Sequence, residues 1–134
     1  ELEGRLKDVP VKVCAGMDGL LEAASMEQAD MVVTSGGTGF SMRDQTPEAT
    51  LAVADRSAPG IAEYIRYRSM ELTSRAMLSR GVSVIRGKTL IVNLPGSPGA
   101  VKESLEFILD SLPHGLEILR GTAAECARPQ GKSV

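Results

Sequence analysis

Ser35-Gly36-Gly37-Thr38-Gly39 follows the apolar run Met31-Val32-Val33 and precedes Arg43-Asp44-Gln45-Thr46-Pro47-Glu48. Glycines free a backbone to bend and to bring its N–H groups close to an anion, so the chemistry this segment supports is the holding of phosphate. Val32 and Val33 are β-branched and apolar, as a strand buried on both faces requires. Thr46 reads as a helix N-cap and Pro47 as the first helical residue. Glu48 places a carboxylate in the first turn, where the helix dipole favours it. A strand, a glycine loop and a helix in that order put a phosphate-bearing ligand beyond the carboxyl end of the strand, where open α/β sheets bind their ligands. Pro95-Gly96-Ser97-Pro98-Gly99 repeats the arrangement after the run Thr89 to Leu94 and gives a second anion site.

The elements that must position these loops are legible in outline. Val9 to Cys14 reads as a short strand, and Asp18 as the cap of a helix with Leu20, Leu21 and Ala24 on its apolar face. A helix is predicted from about Pro47 to Arg56. A break follows at Pro59-Gly60, and then a second helix with Ile61, Tyr64 and Ile65 at helical spacing. Ser74 to Ser79 adds a helical turn. Val82 to Ile85 and Thr89 to Leu94 read as strands joined by the short turn Arg86-Gly87-Lys88, a hairpin that makes the sheet mixed. Val101, Leu105, Ile108, Leu109 and Leu112 follow the 3.6-residue period of one helix, and His114 to Leu119 continue as another. Residues 1–120 are expected to form one domain and 121–134 a loose tail. The fold class is α/β, a three-layer sandwich with a mostly parallel central sheet, helices on both faces and one antiparallel hairpin.

Composition narrows the function classes. At 134 residues the chain has the commonest domain size, and it should bury roughly two-thirds of the surface its unfolded form exposes. The aromatic residues are only Phe40, Tyr64, Tyr67 and Phe107, so the core is aliphatic. A net charge of −2, with no basic stripe, argues against a nucleic-acid binder. Cys14 and Cys126 lie near opposite ends without CxxC spacing, which points to neither a disulfide framework nor a zinc site and fits a cytosolic setting. No apolar run is long enough for a membrane span. Arg86-Gly87-Lys88-Thr89 imitates the end of a P-loop, but a strand follows it and Val82 stands where that motif needs glycine. The glycine spacing also fails the dinucleotide fingerprint. His114, the only histidine, follows a proline at a helix junction and reads as a surface or capping residue, which disfavours a Ser-His-Asp hydrolase. Met70 and Met77 read as core or subunit contact.

Four blocks carry a resemblance: Thr34-Ser35-Gly36-Gly37-Thr38-Gly39, then Arg43-Asp44-Gln45-Thr46-Pro47-Glu48-Ala49, then Ala76-Met77-Leu78-Ser79-Arg80, then Ile85 to Pro98. Their order and spacing resemble the molybdopterin adenylyltransferase family of the MogA type, which includes the G domains of gephyrin and its plant counterpart. The resemblance runs from about Ala29 to Gly121. Proteins of the CinA type carry a GGLG-like loop followed by paired aspartates, whereas this loop has Thr38 and then Arg43-Asp44.

The resemblance implies ATP-dependent adenylylation of molybdopterin with release of pyrophosphate, Mg²⁺ as the helper ion, and a cytoplasmic homotrimer that hands its product to a molybdenum-insertion protein. Such a transfer depends on positioning and charge neutralisation more than on a protein nucleophile. By the same resemblance, Gly36 to Gly39 and the second loop (Asn93, Pro95, Gly96, Ser97) cradle phosphates. Ser35, Thr38, Ser79 and Ser97 donate hydroxyls, and Arg43 and Arg80 are charge clamps. Asp44 holds Mg²⁺ or orients the pterin. The bland readings stay beside these: Asp44 as a helix-entry residue paired with Arg43, Thr46 and Glu48 as capping residues, Arg80 as a solvated arginine. Family members open on a strand and a Ser-Asp-Arg loop with no counterpart here, and Asp18 falls only loosely where a later acid belongs. The expectation is that residues preceding Glu1 are omitted. Two alternatives of other classes stay open: a non-catalytic molybdopterin-binding or scaffold module, and a molybdenum-insertion domain.

Overall fold

The computed structural model describes residues 29–121 and the backbone of Val11–Cys14. Among the described residues, strands β1 (Val11–Cys14), β2 (Met31–Ser35), β3 (Arg56–Ser57), β4 (Ser83–Arg86) and β5 (Thr89–Leu94) form one sheet in the order β1-β2-β5-β4-β3. β1, β2 and β5 are parallel neighbours, with Met31 opposite Leu90 and Ser35 opposite Leu94. β4 runs against both β5 and β3. Among the described strands it alone opposes the common direction, giving two parallel and two antiparallel neighbour pairs, so the sheet is mixed, as the sequence predicts.

Side chains alternate across β2 and β5 and build a separate apolar layer on each face. Met31, Val33, Leu90, Val92 and Leu94 point to one face. There they pack against helices α2 (Pro59–Met70), α3 (Pro98–Ile108) and α4 (Leu112–Arg120) through Ile65, Ile108, Leu112 and Leu116. Val32, Ile91 and Val84 point to the other face, under Ala49 and Val53 of helix α1 (Thr46–Val53). Fully buried side chains such as Ile91 and Leu94 contribute about 1.5–3 kcal/mol each to this core. All four of the described α-helices carry proline in the first turn, where its missing N–H costs nothing.

Several boundaries differ from the sequence reading, each for a local reason. Gln45, not Thr46, occupies the N-cap position of α1, and the Thr46 N–H instead donates to the Gly37 carbonyl (3.1 Å). The helix predicted to Arg56 stops at Val53, because Asp55 N–H bonds Ile85 and draws Arg56-Ser57 onto the sheet edge as β3. Pro59 starts α2 rather than breaking the chain, and Ser83 on β4 caps it from across the fold, donating to the Ala58 carbonyl and accepting from Ala62 N–H. Ser74–Leu78 is the expected turn, as a 3₁₀ helix. The hairpin strand predicted as Val82 to Ile85 is observed at Ser83–Arg86, and the turn uses Gly87 at φ +56°. The single helix expected through Leu112 divides into α3 and α4, because Pro113 cannot continue a helix and suits the first turn of a new one. Met70 and Met77 are exposed on this chain rather than in its core. Val9 and Pro10, the helix expected after Asp18, Cys126 and the tail beyond Gly121 lie outside the described residues. No described helix is long and apolar enough to cross a membrane.

Candidate active site

Because β2 and β5 are adjacent and parallel, the two glycine loops leave the sheet side by side at its carboxyl edge. Gly36 N–H donates to the Leu94 carbonyl (3.1 Å) and the Ser35 hydroxyl to the Pro95 carbonyl (3.2 Å). The loop backbones touch: a Cβ placed on Gly96 would lie 3.4 Å from Gly36 Cα. Gly36 and Gly37 hold φ of +85° and +70°, a left-handed turn that other residues rarely adopt. The N–H groups of Gly37, Thr38, Gly39, Gly96 and Ser97 have no acceptor among the described residues, so they remain available to an anion. The Ser97 hydroxyl caps α3 by accepting from Ala100 N–H.

Asn93 lies beneath the loops, buried against α1. Its amide donates to Thr34 Oγ1 and Thr50 Oγ1 (both 2.9 Å), and its carbonyl oxygen accepts from Val82 N–H (3.1 Å). Every polar atom of this side chain is used inside the protein. Asn93 therefore braces β5, β2, α1 and the entry to β4.

Arg80 joins the two ends of the first loop. Its backbone N–H donates to the Thr38 carbonyl (2.7 Å), its Nε to the Gly39 carbonyl (2.8 Å) and its Nη2 to the Asp44 carbonyl (2.6 Å), while Nη1 pairs with the Glu48 carboxylate. The Arg80 hydrogen bond, helped by Glu48's own backbone N–H, holds the Glu48 carboxyl below the ordinary glutamate range. Asp44 Oδ2 accepts from Ser41 N–H (3.0 Å), closing a turn, and sits so near Gly39 that a Cβ there would be 2.9 Å away. Arg43 stands exposed beside it; its backbone N–H bonds the Ser41 hydroxyl.

Two concavities flank Ser79-Arg80. One is a cleft of about 250 Å³ that includes Thr38, Ser79, Gly81, Asn93, Pro95 and Arg66. The other is an open bowl of about 600 Å³ lined by Phe40, Ser41, Met42, Asp44, Gln45, Glu48 and Arg80. No group of three or more His, Cys, Asp or Glu residues that could hold a metal occurs among the described residues. A single aspartate is still a sufficient protein contribution for Mg²⁺, which is commonly held by one or two carboxylates together with substrate phosphates.

The structure thus brings together Ser35, Gly36, Gly37, Thr38, Gly39, Asp44, Ser79, Arg80, Pro95, Gly96 and Ser97, and leaves Arg43 at the rim. Sequence reasoning did not find Arg66, whose Nε and Nη2 hold the Ser79 and Gly81 carbonyls (3.0 and 2.7 Å). Nor did it find the Thr34–Asn93–Thr50 group, although a polar residue at matching places in two apolar strands was a readable sign. A short parallel pair carrying a glycine loop on each strand, with free amides, defines an α/β protein whose sheet edge is built to receive an anionic group.

Comparison with known proteins narrows the class. Residues 5–114 match the family described as a probable molybdopterin binding domain, and the chain belongs to that family. The molybdopterin adenylyltransferase of Escherichia coli strain K12 is 41% identical over 139 residues, which cover 95% of this chain and 70% of that protein. The enzyme of that name from Haemophilus influenzae is 43% identical over 76% of this chain, which spans only 58% of the relative. The molybdopterin biosynthesis Mog protein from Mycobacterium ulcerans superposes with a TM-score of 0.73 at 45% identity, covering 78% of this chain and 68% of that one.

Proposed function

We propose that this chain adenylylates molybdopterin: a terminal phosphate oxygen of molybdopterin attacks the α-phosphorus of ATP, the bond from that phosphorus to the bridging oxygen breaks, and pyrophosphate leaves. The observation that carries this reading is the pair of touching glycine loops with unsatisfied N–H groups at one sheet edge. Charge builds on equatorial phosphate oxygens in such a transfer, and preorganised amides can meet it without rearranging. Gly37 to Gly39 and Gly96-Ser97 hold phosphates, and the hydroxyls of Thr38, Ser79 and Ser97 add donors at the rims. Asp44, fixed by Ser41 N–H against Gly39, orients the pterin or contributes a carboxylate to Mg²⁺; that ion would supply further neutralisation of phosphate charge. The same reading makes the protein a cytoplasmic homotrimer that passes its product to a molybdenum-insertion protein.

Asp44→Asn tests it. The substitution keeps an oxygen able to accept from Ser41 N–H, so the fold should persist while turnover falls on the order of a hundredfold, about 3 kcal/mol of lost transition-state stabilisation. Pyrophosphate release from molybdopterin and Mg-ATP is the assay. Equal rates in the two proteins would reduce Asp44 to a helix-entry residue. No release by the wild type, with molybdopterin binding intact, would make the chain a non-catalytic binding module.

A further inference from the structure

Arg80 sits beside a phosphate site, yet each of its guanidinium nitrogens already has a partner in the protein. Nε and Nη2 hold the carbonyls of Gly39 and Asp44 (2.8 and 2.6 Å), and Nη1 holds Glu48 on α1. Its backbone N–H adds the Thr38 carbonyl at 2.7 Å. Among the described residues, the hydrogen bonds that tie residues 38–45 to chain beyond α1 all end on Arg80. The rest of that segment is bonded only to itself and to its own helix, through the Ser41–Asp44 turn and the Thr46–Gly37 bond. Phe40, Ser41, Met42 and Arg43 at its tip are exposed and add no anchor. Arg66 in turn steadies the segment that carries Arg80, by holding the carbonyls on either side of it.

We propose that Arg80 is a positioning residue rather than a phosphate ligand. Its planar fork staples the glycine end of the first loop to the helix end, and so sets where the Asp44 carboxylate stands relative to the phosphate cradle. The fork is what matters, because three acceptors lie in three directions and an ammonium group at the end of a flexible stem cannot reach all of them together. The base of the cradle is held without the Arg80 side chain: Gly36 bonds Leu94, Ser35 bonds Pro95, and Thr38 bonds the Arg80 backbone N–H, which every substitution keeps; of the cradle residues Gly39 alone loses a bond. Removing the staple should therefore leave nucleotide binding largely in place and lower the rate of the chemical step. This inference rests on the adenylyl-transfer reading for its rate arm only.

Arg80→Lys and Arg80→Ala should be compared with the wild type by pyrophosphate release and by amide hydrogen exchange. The expected result is a tenfold to hundredfold fall in kcat in both variants, KM for Mg-ATP within about threefold, and faster exchange at residues 38–45 in both. A lysine variant that keeps wild-type kcat and wild-type exchange would overturn the proposal, since charge alone would then suffice. So would a variant whose loss appears only in KM for Mg-ATP, as a direct phosphate contact demands. If the wild type releases no pyrophosphate, the adenylyl-transfer reading fails instead. The exchange rates then decide the staple: unchanged protection at 38–45 in Arg80→Lys overturns it, and lost protection supports it.

Discussion

Gly37 offers the sharpest test of how the first loop is built. Its φ of +70° belongs to the left-handed region, and a Cβ there would lie 2.2 Å from Thr46 Oγ1 and 3.2 Å from Thr46 Cβ. The left-handed conformation costs a non-glycine residue about 1–2 kcal/mol. Rotating the threonine moves Oγ1 away but leaves its Cβ in place, and forcing an extra methyl into a packed contact typically costs a further 1–3 kcal/mol. Gly37→Ala should therefore lose about 2–5 kcal/mol of stability. Gly36 supplies the control. Its φ is +85°, but a Cβ would meet nothing closer than Gly96 Cα at 3.7 Å, so Gly36→Ala should lose only the conformational part, about 1–2 kcal/mol. Urea unfolding of both variants, each with and without Thr46→Ala, separates the two contributions. The added Thr46→Ala should return about 1–2 kcal/mol to Gly37→Ala and nothing to Gly36→Ala. Equal losses in the two glycine variants, unmoved by Thr46→Ala, would refute the view that Gly37 is the contact point between loop and helix.

Asn93→Ala should destabilise by about 2–4 kcal/mol in a denaturant titration, because it strands Thr34 Oγ1 and Val82 N–H, while Thr50 keeps its bond to the Thr46 carbonyl and the nucleotide affinity of the folded protein stays within a few-fold. Glu48 has a carboxyl pKa depressed in the folded state, so its pairing with Arg80 stabilises fully above the unfolded glutamate value of 4.5 and is lost as pH falls through the lower, folded value. Glu48→Gln should accordingly flatten the acid limb of a stability–pH profile below that point, and a profile identical to wild type would contradict the pairing. Tyr67, Leu72 and Met77 expose about 60% of their surface on one flank. The trimer reading places this flank between subunits, so light scattering at micromolar concentration should give three times the chain mass, and Leu72→Glu should lower it. A monomer mass for the wild type would sink that reading.

Strand, loop and helix order around both glycine segments was readable from sequence, because each depends on neighbours in the chain. β-branched pairs make the strands, glycines permit positive φ, and Pro47 starts the helix after the first loop; Pro59, read as a break, and Pro98, read as part of a loop, start helices as well. The family, too, could be read from the blocks at Thr34 to Ala49, Ala76 to Arg80 and Ile85 to Pro98. Only the tertiary structure decided what those residues touch. Parallel pairing of β2 with β5, between residues 59 positions apart, is what lays Gly36 against Gly96 and brings the two glycine loops together. Arg80 looked like a charge for the ligand, since no local pattern reveals carbonyls 36 and 41 residues away. Asn93 looked like a loop contact, whereas burial between Thr34 and Thr50 turns its amide inward. Thr46 has no capping role because the helix begins on it with Gln45 at the N-cap, its N–H donating to the carbonyl of Gly37, nine residues earlier. Backbone conformation is a short-range property that local sequence encodes. The partner of a polar side chain is chosen by whichever group the fold brings within about 3 Å in a place closed to water, and that choice exists only once the sheet has formed.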